Sequence, residues 1–174
     1  MEIRIARPDE YEQVGELTLA AYLPLFERPE LGRYGAELKD VASRAERGHV
    51  VVAELDGRLV GALLYVDDYN VELDHIELTL ENSSGFRVLA VDPNVQGKGV
   101  GKQLVQWCIN RSVADGRSAL VLNTTDYMQA AQRLYVRLGF VPFPEMEYSV
   151  GHKNPVPVLA FRLDLTGSDG ANTK

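Results

Sequence analysis

Hydrophobic positions change period several times along the chain, and each change marks an element. Residues 2–6 alternate and predict a first strand. Pro8-Asp9-Glu10 then opens a helix with Val14, Leu17, Ala20 and Ala21 on one face, interrupted by Pro24 and Pro29. Leu38, Val41 and Ala45 predict a second helix over about 31–47, stopped by Gly48. Apolar runs at 50–55 and 59–66 flank Asp56-Gly57, a strong hairpin signal. Ile76, Leu78 and Leu80 alternate with Glu77, Thr79 and Glu81, which predicts a strand with its carboxylates on one face. Residues 86–91 read as a short buried strand. Leu104, Val105, Cys108 and Ile109 recur at helical spacing in a helix that starts at Gly99 and ends by Gly116.

The last third continues with a strand at 120–122 and a helix over about 126–138 stopped by Gly139. Closing strands are predicted near 141–148 and 156–165. The polar residues 166–174 predict a frayed tail. No repeat or linker divides the chain, so one domain is expected over 1–165. The order β-α-α-β-β-β-α-β-α-β-β mixes hairpins with strand–helix–strand crossovers. It predicts an α/β (α+β) fold with a mixed central sheet of about six to seven strands flanked by about four helices.

Composition narrows the function classes. The chain has 174 residues, 45% hydrophobic and 25% charged, ordinary for a globular protein with a real core. A net charge of −7 without any basic cluster argues against nucleic acid as the main partner and suits a cationic one. No apolar run is long enough to span a bilayer, and the chain is charged from its second residue, so neither a membrane partner nor a secretory signal is expected. The single Cys108 falls on an apolar stripe and reads as a core residue. His49, His75 and His152 are scattered, so no metal is expected, and the cytoplasm is the natural compartment.

Between the strand at 86–91 and the following helix stands Val91-Asp-Pro-Asn-Val-Gln-Gly-Lys-Gly-Val-Gly-Lys102. Glycines at such a junction let backbone N–H groups converge, and the helix N-terminus adds partial positive charge, a combination that binds phosphate. A P-loop is excluded, because Gln96 stands where its first glycine belongs and Gln103 follows Lys102 in place of Ser or Thr. A dinucleotide fingerprint is excluded because Lys102 occupies its third glycine position, which leaves little support for a nucleotide-binding protein of another fold. A plain glycine-rich turn would read the same. A second segment, Ala131-Gln-Arg-Leu134-Tyr135-Val-Arg-Leu138-Gly139-Phe140, places Ala131, Leu134, Tyr135 and Leu138 on one helix face. Spacing alone would also allow a core tyrosine there.

Together the two segments resemble the Q/R-x-x-G-x-G/A loop and the A-x-x-L-Y-x-x-x-G-F segment of the GNAT acetyltransferases, in that order, and the resemblance runs from about residue 2 to 165. It implies acetyl-CoA as co-substrate and an amine as acceptor. In that resemblance the backbone of Leu89, Ala90 and Val91 pairs with the pantetheine arm, and Asn123 lies across from it. Backbone N–H groups of Gln96, Gly97, Lys98, Gly99, Val100 and Gly101 hold the pyrophosphate, with Lys98 and Lys102 as nearby cations. Tyr135 protonates the leaving thiolate as general acid, and the Val91 N–H polarises the thioester carbonyl.

Two positions depart from the family pattern. Met128 stands where many members carry Asn. Ser84-Gly85-Phe86 stands where many carry a glutamate base. Baring a lysine-like amine with a pKa of about 10.4 costs roughly 4–5 kcal/mol at pH 7, and an α-amine near 8 about 1 kcal/mol. The first wants a positioned base. Glu77 or Glu81 is the candidate, directly or through water, with His75 as an alternative; for any single carboxylate a merely solvated acidic loop is the simpler reading. The expected activity is direct acetyl transfer to a primary amine, a cationic small molecule or a peptide amine, in a ternary complex of a monomer or homodimer. The alternative is a non-catalytic acyl-CoA-binding module of the same fold.

Overall fold

The computed structural model describes residues 1–25, 32–73, 76–151 and 155–166. In chain order its elements are β1 (Glu2–Ile5), α1 (Tyr11–Tyr22), α2 (Gly32–Lys39), α3 (Val41–Ala45), β2 (His49–Leu55), β3 (Arg58–Val66), β4 (Asn70–Leu73) and β5 (Ile76–Thr79). Then come β6 (Ser83–Val91), α4 (Val100–Ala114), β7 (Ala119–Thr125), α5 (Gln129–Arg137), β8 (Val141–Pro142), β9 (Tyr148–Val150) and β10 (Val156–Asp164). The expected mixed α+β class is what these residues form. The described residues hold ten strands and five α-helices, more than expected: β4 carries little periodic signal, the strand expected near 141–148 is split into β8 and β9 by a 3-10 turn at Pro144–Met146, and the expected second helix is broken in two. The frayed tail expected after Thr166 lies outside the described residues, as does Leu31.

The chain forms two compact units, Met1–Val66 with Phe86–Trp107, and Asp67–Gly85 with Cys108–Lys174. In the first, strands follow the order β1-β2-β3-β6, with antiparallel ladders from β1 to β2 and from β2 to β3. The hairpin turn falls on Asp56 and Gly57, as predicted. Apart from Arg58 every residue of β3 is buried, because the strand is covered on both faces. One face joins Val14 of α1 and Val41 of α3 through Ala62, Leu64 and Val66. On the other, Gly61 admits α4: a Cβ there would lie 2.7 Å from Val100 Cγ1 and 2.9 Å from Leu104 Cδ1. Tyr65 meets Trp107 edge-on at 5.7 Å.

Two helix expectations are corrected. The buried stripe of α1 is Val14, Gly15, Thr18 and Tyr22, while Ala20 is exposed. Leu17 packs against the core as expected, whereas Ala20 lies about 120° around the helix from Val14 and so turns to solvent. The helix expected to end at Arg47 is two helices broken at Asp40, whose carboxylate accepts from Ser43 N at 3.1 Å and Ser43 Oγ at 2.7 Å. That cap starts a new helix more favourably than continuing the old one. At the start of α1, Arg4 clasps Glu10 through both guanidinium nitrogens (2.9 and 2.7 Å) and Glu54 at 2.5 Å.

The second unit places β10 between β7 and β8, with β9 also pairing β10, all antiparallel. Alternation along β7 divides its side chains between two faces. Ala119 and Val121 pack with Tyr69 and Val71, joined by Leu78, Leu80, Phe143, Met146 and Tyr148. Leu122 sits opposite Phe161, which packs on Tyr135 at 6.1 Å. The acidic segment is a two-stranded hairpin, β4 with β5, pairing Glu72 with Glu77.

Candidate active site

One group of candidate residues lies in the first unit, at the junction of β6 with α4. Val88 has φ 54°, inside a strand, where a β-branched side chain is strongly disfavoured. Such a residue costs about 1–3 kcal/mol and persists only where its surroundings impose it. It breaks the pleat and re-aims the backbone groups of Leu89, Ala90 and Val91 that follow. Leu89 and Val91 are half-buried and Ala90 is buried.

A 3-10 turn at Pro93–Val95 then leads into the glycines. Gly97 and Gly99 have φ 80° and 82°, a conformation that favours glycine. A Cβ at either position would meet nothing within 4 Å, so backbone conformation rather than crowding demands these glycines. Gln96, Gly97, Lys98, Gly99 and Lys102 are exposed, Gly101 is half-buried and Val100 anchors the helix in the core. The first α-helical bond runs from Gln103 N to Gly99 O at 3.1 Å. The amides before Gln103 are those a helix leaves without an internal acceptor, and the dipole adds positive charge there. The Lys98 amide is an exception, since it donates to Val95 O at 3.3 Å. The arrangement can hold an anion through backbone groups, with two lysines beside it.

A separate group of candidate residues, in the second unit, stands on α5 and β7. Tyr135 is buried between Phe140 (6.0 Å) and Phe161 (6.1 Å). Burial first, and then proximity to Cys108, push its phenol well above the usual range, so it stays protonated. Cys108 is fully buried and burial raises its thiol likewise. A protonated, inaccessible thiol is no nucleophile. Asn123 accepts from Tyr69 Oη at 2.7 Å and donates through Nδ2 to Met146 O at 3.2 Å and Leu159 O at 3.5 Å. Next to it, the hydroxyls of Thr124 and Thr125 are buried without a hydrogen-bond partner among the described residues.

Glu77 and Glu81 are exposed, as is Thr79, while Leu78 and Leu80 pack toward Tyr69 and Val121. The two carboxylates therefore stand on the solvent side of the hairpin, Glu81 in the turn beyond β5. His75 lies outside the described residues. Where the family glutamate is missing, Ser84 is buried and its Oγ meets Ser112 Oγ at 2.5 Å. The structure thus brings together the glycine-loop residues, and separately Asn123 with Tyr69. Sequence reasoning missed Val88 and Tyr69, for which no local signal exists. It also passed over Asp92, although Asp-Pro is a turn signal. No described helix is long and apolar enough to cross a membrane, and the described residues hold no group of three His, Cys, Asp or Glu side chains able to bind a metal.

Residues 11–140 match the model of the acetyltransferase (GNAT) family, a stretch that runs through both compact units. The chain belongs to that family. It is 28% identical over 173 residues to the S-(2-succino)cysteine N-acetyltransferase of Bacillus subtilis (strain 168), covering 93% of this chain and 97% of that protein. It is 36% identical over 99 residues to the N-acetylaspartate synthetase of Danio rerio, covering 55% of this chain and 30% of that one. It thus spans under a third of that relative's length. Among solved structures, yncA of Salmonella typhimurium, held with its cofactor acetyl-CoA, superposes with a TM-score of 0.68 at 20% identity over 100% of this chain and 99% of that one. The ribosomal-protein-S18-alanine N-acetyltransferase of Escherichia coli gives 0.69 at 18% identity, over 99% and 98%. These two establish the shared fold.

Proposed function

We propose that this protein transfers the acetyl group of acetyl-CoA directly to a primary amine. The observation that carries the reading is the exposed loop at 96–102, with two positive-φ glycines opening onto unoccupied space at the start of α4. Backbone N–H groups of Gln96, Gly97, Gly99, Val100 and Gly101 hold the pyrophosphate, and Lys98 and Lys102 add charge. The backbone at Leu89, Ala90 and Val91, re-aimed by Val88, pairs with the pantetheine arm. Asn123 joins it through backbone groups, since its amide is engaged by Tyr69, Met146 and Leu159. The acceptor nitrogen attacks the thioester carbonyl, which the Val91 N–H polarises. The C–S bond breaks, and the thiolate takes the Tyr135 proton.

The inaccessibility of Cys108 supports direct transfer through a ternary complex rather than through a cysteine acyl-enzyme. The acceptor's own proton leaves to water or through water to Glu81 or Glu77. The acidic balance supports a cationic or peptide amine. The names of the S-(2-succino)cysteine and N-acetylaspartate relatives support the α-amine of a carboxylate-bearing amino acid. An α-amine needs little help in losing its proton, which fits the exposed placement of both glutamates.

A non-catalytic acyl-CoA-binding module is the second reading, favoured by the Ser84–Ser112 pair that occupies the usual site of the base. Release of free CoA from acetyl-CoA, followed over a panel of polyamines, peptide N-termini and dicarboxylic amino acids, separates the two. One class of amine should raise release well above background. Acetyl-CoA binding without stimulation by any amine would leave only the binding module.

A further inference from the structure

The turn that leads into the glycine loop is built on a residue outside the loop. Asp92, the first residue after β6, is fixed on every side within the first unit. Its amide donates to Val60 O of β3 at 2.9 Å, and its carbonyl accepts from Val95 N at 3.0 Å. Its Oδ1 accepts both Asn94 N and Asn94 Nδ2, each at 2.9 Å. Its Oδ2 faces Arg58 Nη2 at 3.7 Å. The side chain is only 15% exposed, whereas Arg58 is 74% exposed.

We propose that Asp92 is the positioning residue for the donor loop, resting on the reading that residues 96–102 bind the CoA pyrophosphate. The chain leaves a strand anchored at Val60 and must present its amides only a few residues later. The Asp92 cap fixes the 3-10 turn that spans the gap, and Val95 at the end of that turn receives the Lys98 amide. A bare carboxylate so near an anion site would repel the ligand. Here two N–H donors of Asn94 and, more weakly, Arg58 face the carboxylate and partly offset its charge. The two oxygens divide the work. Oδ1 shapes the turn, and Oδ2 meets the exposed cation.

That division sets the test, a calorimetric titration of CoA into the full-length protein. Asp92→Ala should weaken CoA binding about tenfold, the scale of a lost cap. Asp92→Asn, which keeps an Oδ1 acceptor, should restore affinity to within about threefold, and Arg58→Ala should change it about twofold or less. With the acceptor that the amine panel yields, Asp92→Ala should raise the acetyl-CoA KM while leaving kcat within about twofold. Wild-type affinity in Asp92→Ala, or equal damage from Ala and Asn, would overturn the proposal, as would a fall in kcat matching the rise in KM. If Asp92→Ala does not fold, the Asn and Arg58 variants decide alone: a tenfold loss in Asp92→Asn overturns the cap. Failure of the wild type to bind CoA would instead overturn the loop assignment itself.

Discussion

Tyr69 Oη donates to Asn123 Oδ1 across 2.7 Å, joining the segment before β4 to the end of β7. The bond settles the orientation of the Asn123 amide, whose Nδ2 then reaches Met146 O and Leu159 O. These three hydrogen bonds tie the acidic hairpin, β7, β10 and the turn before β9 into one polar cluster.

Tyr69→Phe keeps the buried ring and removes only that donor. It should destabilise the protein by about 1–2 kcal/mol, because Asn123 Oδ1 loses its partner in a half-buried place. A urea melt reads this directly. An unchanged midpoint would mean that water replaces the phenol without cost.

Glu10 carries a pH dependence. The Arg4 guanidinium, aided by the Arg7 amide, lowers its carboxyl from an ordinary 4.5 to about 2. A folded-state value below the unfolded one stabilises fully above about pH 4.5, and the contribution is lost as pH falls toward 2. Between those limits the urea midpoint of the wild type should therefore fall more steeply than that of Glu10→Gln. Parallel curves would show that the clasp does not hold Glu10 ionised.

Thr124 buries a hydroxyl without a partner among the described residues. Replacing it by the isosteric Val removes a desolvated polar group and should raise stability by about 1 kcal/mol, or 2–4 °C in Tm. A loss of stability would reveal a partner for the hydroxyl in solution.

Tyr135→Phe separates chemistry from binding. The ring still fills its place between Phe140 and Phe161, so CoA affinity should hold. Turnover should fall by about 10²- to 10⁴-fold, the usual worth of a positioned acid. Equal losses of affinity and turnover would make the tyrosine a packing residue.

Much of this was legible in the sequence because it is local. Asp56-Gly57 predicted its hairpin, Gly97 and Gly99 their turn, and Cys108 its burial, each from a few neighbouring residues. The relationships that shape the site are not local. Tyr69 and Asn123 are 54 residues apart, and nothing near either announces the other. Val88 belongs to a residue type that avoids positive φ, so its backbone is imposed by tertiary context rather than preferred. The break at Asp40 had a readable cause, an Asp three residues before a Ser, but the continuing apolar period concealed it. Glu77 and Glu81 show the reverse: alternation predicted a strand carrying both, yet the strand ends at Thr79, Glu81 falls in the following turn, and both carboxylates are exposed to solvent.

Acetyl-CoA binding by Gly99→Glu, measured by calorimetry beside the wild type, decides whether the glycine loop is the donor site. The substitution adds a carboxylate to open space at the start of α4, where the loop is read as holding the pyrophosphate. The wild type should bind measurably and the variant not at all, with the fold retained by circular dichroism. Equal affinities would contradict this and move the donor site elsewhere.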